Sequence, residues 1–235
     1  MAEYWNSAAE TYDFDMAFLL KTLFVDEDAE RENIISLLQL RSDSKVLEIG
    51  CGTGRDTEKM VKRLGKEGLL RLTDISPNML KICEEKIFGC SVPFEMLIHD
   101  ASAPLPFDQR TFDVVFHFGA LNEFKDKKFA MSEMVRVAKV GGKIVVGDES
   151  VPEWLRETEF GKMLMAANPR FKATVPLDAV PKEARDVKVH YIMNSVYYLI
   201  EFRVGEGEPK VDETITFPGR RGGTYRSRYE ESLKR

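Results

Sequence analysis

From Lys45 onward, short apolar runs alternate with segments whose apolar residues recur at helical spacing. Val46-Leu47-Glu48-Ile49 and residues 69–73, 94–98, 112–116 and 143–146 read as strands. Helices are predicted over residues 55–64, from Ser76-Pro77 through Cys83, and over residues 127–140, where Gly141-Gly142 stops the last. Alternation at such short intervals predicts βαβ units and a parallel sheet. The near-continuous apolar run Ile144-Val145-Val146 suits a sheet covered on both faces. Ahead of this region, residues 28–40 carry Ile34, Ile35, Leu37 and Leu38 on a helical face, and a looser segment holds Trp5, Tyr12, Phe14 and Phe18. Beyond Glu149 the pattern weakens to a helix near 153–167 and two strands near 187–193 and 196–203.

Composition narrows the class. The 235 residues are 43% hydrophobic and 31% charged, enough for a sizeable core, with net charge −5. That charge argues against nucleic acid as a general partner. No run of 18 apolar residues predicts a membrane span, and the polar N-terminus does not read as a secretory signal. Three cysteines, Cys51, Cys83 and Cys90, do not form a disulfide framework, so a cytoplasmic location is expected. No Cys/His spacing predicts a metal site.

The sharpest chemical signal is Glu48-Ile49-Gly50-Cys51-Gly52-Thr53-Gly54 at the end of the first strand. Alternate glycines allow a tight turn and a close approach of backbone N–H groups to a ligand. The dinucleotide fingerprint requires a third glycine where Arg55 stands, and no P-loop Lys-Ser/Thr follows. Glu48 before the turn suits a cationic or zwitterionic ligand. Asp74 closes the second strand, where a carboxylate accepts from ribose hydroxyls. Asp100 closes the third, placed to accept from an exocyclic amino group such as that of adenine.

Together these residues resemble the class I S-adenosylmethionine methyltransferases, and most of all the ubiquinone/menaquinone-biosynthesis group. The likeness is carried by Val46-Leu47-Glu48-Ile49-Gly50-Cys51-Gly52-Thr53-Gly54, Asp74-Ile75-Ser76-Pro77-Asn78-Met79-Leu80, Asp100-Ala101, Leu105-Pro106-Phe107, Phe112-Asp113-Val114-Val115 and Gly141-Gly142-Lys143, with Trp5-Asn6 and Tyr12-Asp13 ahead of them. The resemblance implies an α/β Rossmann-like fold: a seven-stranded, mostly parallel sheet with helices on both faces and an antiparallel last strand. It implies one domain over residues 1–235, with an N-terminal helical lid (1–44), a cofactor-binding core (45–150), and a substrate-side helix, last strands and basic tail (151–235). S-adenosylmethionine is the implied cofactor, leaving as S-adenosylhomocysteine after in-line displacement. The implied cofactor contacts are Tyr12, Glu48, Gly50, Cys51, Gly52, Gly54, Asp74, Ile75, Met79, Asp100, Ala101 and Phe116.

His117, just past the fourth strand, is a candidate general base, set against a histidine packed between aromatics. The tail from Phe217 to Tyr229 carries Arg220, Arg221, Arg226 and Arg228 with Tyr225 and Tyr229. Arg220 and Arg221 are candidate contacts to an anionic acceptor, set against a solvated or self-paired tail. The expected partner is a small-molecule acceptor. The alternatives are a methyltransferase of RNA or protein and a non-catalytic protein that binds S-adenosylmethionine.

Overall fold

The computed structural model describes residues 1–218 and 222–234. Two helices lead: α1 (Ala2–Thr22) and α2 (Glu27–Leu37), the latter opened by Asp26, whose carboxylate accepts from Ala29 N. Then come β1 (Lys45–Ile49), α3 (Thr57–Met60), β2 (Leu69–Asp74), α4 (Pro77–Ile87), β3 (Phe94–Ile98) and β4 (Phe112–Phe118). A 3-10 turn, Leu121–Glu123, precedes α5 (Lys127–Val137) and β5 (Ala138–Glu149). Next are α6 (Glu153–Arg156), α7 (Glu159–Ala167), β6 (Ala184–Ile192), β7 (Tyr197–Val204) and α8 (Tyr225–Ser232).

One seven-stranded sheet runs in the order β3-β2-β1-β4-β5-β7-β6. Neighbours from β3 to β5 are parallel, and β7 lies antiparallel to both β5 and β6. The chain therefore winds outward from β1 to β3, then returns to place β4 on the other side of β1. Between β1 and β4 the connections leave in opposite directions, which opens a crevice at the carboxyl ends of both strands.

Strand periodicity assigns the core. Val46, Val114, Phe116, Val145, Tyr197 and Leu199 face one side, against Leu20, Ile34, Ile35, Leu38, Cys83 and Ile87 from the helices. Leu47, Ile49, Val115, Ile144, Val146, Ile200 and Phe202 face the other, against Met131, Met134 and Val137. A residue shift of one in register would exchange these two faces.

Three helices differ from expectation. The helix predicted over 55–64 is a single turn, Thr57–Met60, because Arg55 and Asp56 turn sideways to pair with α1 and α2, and Gly65 N bonds to Ser42 O at 2.7 Å. The helix predicted to Val140 stops at Val137. Ala138 is extended and already pairs with Phe112, so β5 starts before the glycines. The helix predicted over 153–167 is broken where Thr158 caps α7 by accepting from Gly161 N at 3.1 Å.

Two features invite direct tests of this packing. Gly54 has φ +83°, and a Cβ there would lie 2.7 Å from Cys83 Sγ. Gly54→Ala combines a left-handed backbone penalty of about 1–2 kcal/mol with an overpacking cost of about 1–3 kcal/mol. At about 2–4 °C per kcal/mol for a chain this size, the melting midpoint should fall by roughly 5–15 °C. A shift under about 2 °C would show that α4 does not press on the turn. The second is the buried Glu201, which accepts from Lys143 Nζ at 2.6 Å and pairs with Lys188 at 3.0 Å. Burial alone would raise its pKa, but the two lysines outweigh that and hold it at about 2. Being lower in the folded than in the unfolded chain, that pKa lends stability above pH 4.5 that is lost as pH falls from 4.5 towards 2. Acid titration of stability should be less steep in this window for Glu201→Gln; identical slopes would contradict the pairing.

Candidate active site

The crevice between β1 and β4 holds a cavity of about 360 Å³. Its floor is the turn after β1. Gly50, Gly52 and Gly54 all adopt positive φ there, but they do different work. Gly54 makes room for α4. Gly52 has nothing within 4 Å of where its Cβ would stand, so it fronts open space. Gly50 lies beside the His117 ring.

Asp74, at the end of β2, braces this floor. Its Oδ2 accepts from Gly52 N at 2.8 Å and its Oδ1 from Ser76 N at 2.9 Å. Burial raises its pKa against the pull of these bonds. Ile75 N–H also lies within reach of this carboxylate; with about four lone-pair sites, Asp74 keeps acceptor capacity for the cavity that it lines. Ile75 and Met79 continue the wall, Met79 held where Ser76 Oγ accepts its N–H at 3.2 Å. On the β3 side stand His99, Asp100, Ala101 and Ser102. Asp100 accepts from Ser102 N at 2.8 Å through Oδ1, so it both caps its own loop and fronts the cavity.

α1 crosses the mouth and is pinned at two points. Asn6 Oδ1 accepts from Ser76 Oγ at 2.6 Å, and Asn78 Nδ2 donates to Asn6 O at 3.1 Å. About two turns on, Asp13 accepts from Thr53 Oγ1 at 2.6 Å and pairs with Arg55 and Lys86. Burial would raise the Asp13 pKa, but Lys86 and Thr53 lower it overall. Each beside one of these pins, Trp5 and Tyr12 meet edge to face, 6.0 Å between centroids, and line the cavity.

A second chamber of about 70 Å³ shares Trp5, Tyr12, Gly50, Gly52, Phe118 and Gly119 with the first. Glu48 and Cys51 reach this chamber rather than the main cavity. Glu48 accepts from Thr57 Oγ1 at 2.6 Å, and burial, then the Asp56 charge, push its carboxyl well above the ordinary range. Beyond Met16, Thr53, Arg55 and Asp56, the chamber is completed by Glu149, Arg31, Arg170 and Tyr197. These four and His99 were missed by sequence reasoning. They sit in no motif and converge only through the sheet order, from α2, the end of β5, the segment after α7, and β7. The one signal was an acidic pair, Asp148-Glu149, closing an apolar strand.

Two expectations need correction. Phe116 is buried in the core and lines neither space. β4 runs two residues further than predicted, so Phe118, on the same side of the strand, takes the position expected of Phe116. His117 does line the cavity, but its Nδ1 lies 2.7 Å from Ile49 O, and its Nε2 is sealed from solvent without a partner. Burial lowers its pKa, and the ring packs on Phe124 at 4.8 Å. A neutral imidazole donating through Nδ1 and closed off at Nε2 forms wall, and its geometry does not suit a general base. Arg220 and Arg221 lie outside the described residues. Of the described tail, Arg226 pairs with Glu213 through two contacts of 2.9 Å, and Arg228 covers the Phe217 ring at 3.8 Å. None of the described tail residues lines either space. Among the described residues no group of three His, Cys, Asp or Glu could hold a metal ion.

The residues present fit an adenosyl sulfonium ligand: an open cradle at Gly52 and a carboxylate with free lone pairs at Asp74, with Asp100 beyond it. Comparisons with known proteins agree. The chain is 33% identical over 123 residues to demethylmenaquinone methyltransferase of Bacillus subtilis (strain 168), covering 52% of this chain and 53% of that protein. It is 34% identical over 124 residues to the Anoxybacillus flavithermus (strain DSM 21510 / WK1) enzyme of that name, 53% of this chain and 52% of that protein. The alignments thus span about half the length of these relatives. Among solved structures, a SAM-dependent methyltransferase from Aquifex aeolicus superposes with a TM-score of 0.55 at 19% identity, covering 79% of this chain and 96% of that one. Geranyl diphosphate C-methyltransferase from Streptomyces coelicolor A3(2) superposes with a TM-score of 0.56 at 15% identity, covering 76% and 79%. At these identities the structures establish a shared fold. The ubiE/COQ5 methyltransferase family model matches residues 1–165, more than half of the sequence, and the chain belongs to that family.

Proposed function

We propose that the protein binds S-adenosylmethionine in the β1/β4 crevice and transfers its methyl group to a small-molecule acceptor. The observation that carries this reading is the pairing of open space at Gly52 with the Asp74 carboxylate that braces it. The sulfonium methyl is the group the cofactor supplies. On this reading Asp74 holds the ribose and Asp100, Ala101 and Ile75 border the adenine. Trp5 and Tyr12 close over the ligand and exclude water, their aromatic faces favouring a cation. Holding donor and acceptor collinear in a dry pocket accounts for most of the catalysis such a site can offer.

Acceptor size supports a small molecule: among the described residues the cavity is walled in by α1 and offers no broad basic face. The related proteins named for small acceptors, demethylmenaquinone and geranyl diphosphate, point the same way. The notion of an anionic acceptor rests on tail arginines of which Arg220 and Arg221 lie outside the described residues, and it gains no support from Arg226 or Arg228. Free thiols at Cys51, Cys83 and Cys90 suit a reducing, cytoplasmic setting. No helix among the described residues is long and apolar enough to cross a membrane.

Calorimetry with S-adenosylhomocysteine tests the cradle. Asp74→Asn removes a charged acceptor whose hydrogen bonds are worth about 1.5–3 kcal/mol each, so affinity should fall at least about tenfold. Gly52→Ala places a methyl group in the open space and should cost about tenfold or more, equivalent to about 1.4 kcal/mol. Parent-like affinity in both folded variants would remove this crevice as the cofactor site.

A further inference from the structure

We infer that a separate cavity, at the opposite end of the sheet from the crevice, binds a small, multiply charged anion of the phosphate class. The inference is independent of the cofactor reading and concerns residues that take no part in it.

The cavity holds about 310 Å³. Sites for small molecules begin at about 300 Å³. It lies where β1 and β4 begin, between the end of α2, the start of β5 and the end of β7. At about 3.3 Å per residue, β1 separates it from the glycine turn by roughly 15 Å. It shares no lining residue with the crevice or with the chamber beside it.

The backbone makes the hollow. β5 pairs with β4 at Phe112 and Ala138, and next at Val114 and Lys143, so residues 139–142 bulge out opposite the single residue Asp113. A bulge interrupts regular pairing and re-aims the side chains around it. Within this one, Gly141 has φ +80° and nothing within 4 Å of where its Cβ would stand, which leaves its backbone open to close approach. Gln39 holds φ +53° just past α2, a conformation that at a helix end usually falls to glycine or asparagine. Its side-chain oxygen accepts from Arg203, and Gly141 O accepts from the same guanidinium at 2.9 Å. Arg203 is thus fixed between the end of α2 and the bulge.

Charge then selects the ligand. Arg41, Lys139, Lys143 and Arg203 line the cavity against one carboxylate, Asp113. The chain as a whole carries −5, so this concentration of positive charge runs against its composition. Two of the four cations are held by carboxylates, Lys143 by Glu201 at 2.6 Å and Lys139 by Asp113 at 2.7 Å. Asp113 is committed twice, since its other oxygen accepts from Lys45 N at 2.9 Å. Arg203 meets only neutral oxygens among the described residues. Arg41 reaches Asp43 at 3.1 Å, but the two side chains are 65% and 60% exposed, and a surface pair of this kind holds weakly. Two guanidinium forks with charge to offer therefore share one hollow, with the Lys139 ammonium alongside. Such a fork takes the oxygens of a phosphate two at a time. An anion with at least two charges and three free oxygens engages both forks, a chemistry shared by inorganic diphosphate and phosphate esters.

Calorimetric titration with sodium diphosphate, and separately with glycerol phosphate, tests the site. Sodium chloride holds the ionic strength constant, so that general screening is the same throughout. The parent should bind one anion per chain saturably, and the tighter of the two probes tells free from esterified phosphate. Arg203→Gln and Arg41→Gln should each lower the affinity about tenfold or more, as loss of a charged fork implies. Arg203→Lys, which keeps the charge and loses the fork, should fall between the parent and Arg203→Gln. Because the Arg41 side chain is largely exposed, Arg41→Gln decides the matter even where Arg203→Gln does not fold. No saturable binding of either anion by the parent, or parent-like affinity in Arg41→Gln, would overturn the inference.

Discussion

Asp74 ties the end of β2 to the turn after β1. One carboxylate oxygen takes the Gly52 N–H and the other takes the Ser76 N–H, and Ser76 in turn caps α4 and binds Asn6 of α1. A single buried carboxyl thus sets the shape of the glycine turn, the start of a helix and one anchor of the segment that closes the cavity. Without it, the half-buried Gly52 N–H would lose its acceptor. The turn could then relax away from the open shape a ligand needs.

The second anchor works by charge. Asp13 meets Arg55 and Lys86, and Arg55 continues to Glu27, whose other partner is Arg31. This chain of ions joins α1, α2, the turn before α3, and α4 along one rim of the chambers. Partly buried pairs of this kind contribute little net stability. Their use here is positional: they fix α1 over the crevice, so Trp5 and Tyr12 present their rings to whatever lies beneath.

Much of the fold was legible because strand and helix periods differ, and the alternation between the two core faces is written residue by residue in β1, β4, β5 and β7. The glycine turn, Asp74 and Asp100 were legible because each follows its strand directly. What failed was of two kinds. Phe116 was placed in the site because β4 was read two residues short, and strand ends carry little periodic signal. For His117 the sequence leaves a general base and a histidine packed between aromatics both open, and only the structure shows that Ile49 O occupies one nitrogen and that burial closes the other. Glu149, Arg170 and Tyr197 could not have been found in sequence order, since they lie 97 to 145 residues beyond Gly52 and meet only because β7 inserts between β5 and β6.

The central claim is that the crevice between β1 and β4 is an adenosyl cradle. A crystal structure with bound S-adenosylhomocysteine tests it most directly. The account predicts ribose hydroxyls within hydrogen-bond reach of Asp74, the adenine ring between Ile75 and Ala101, and the sulfur on the side of Gly50 and Tyr12. A ligand lying elsewhere on the molecule, or one seated in the crevice with its ribose away from Asp74, would contradict it.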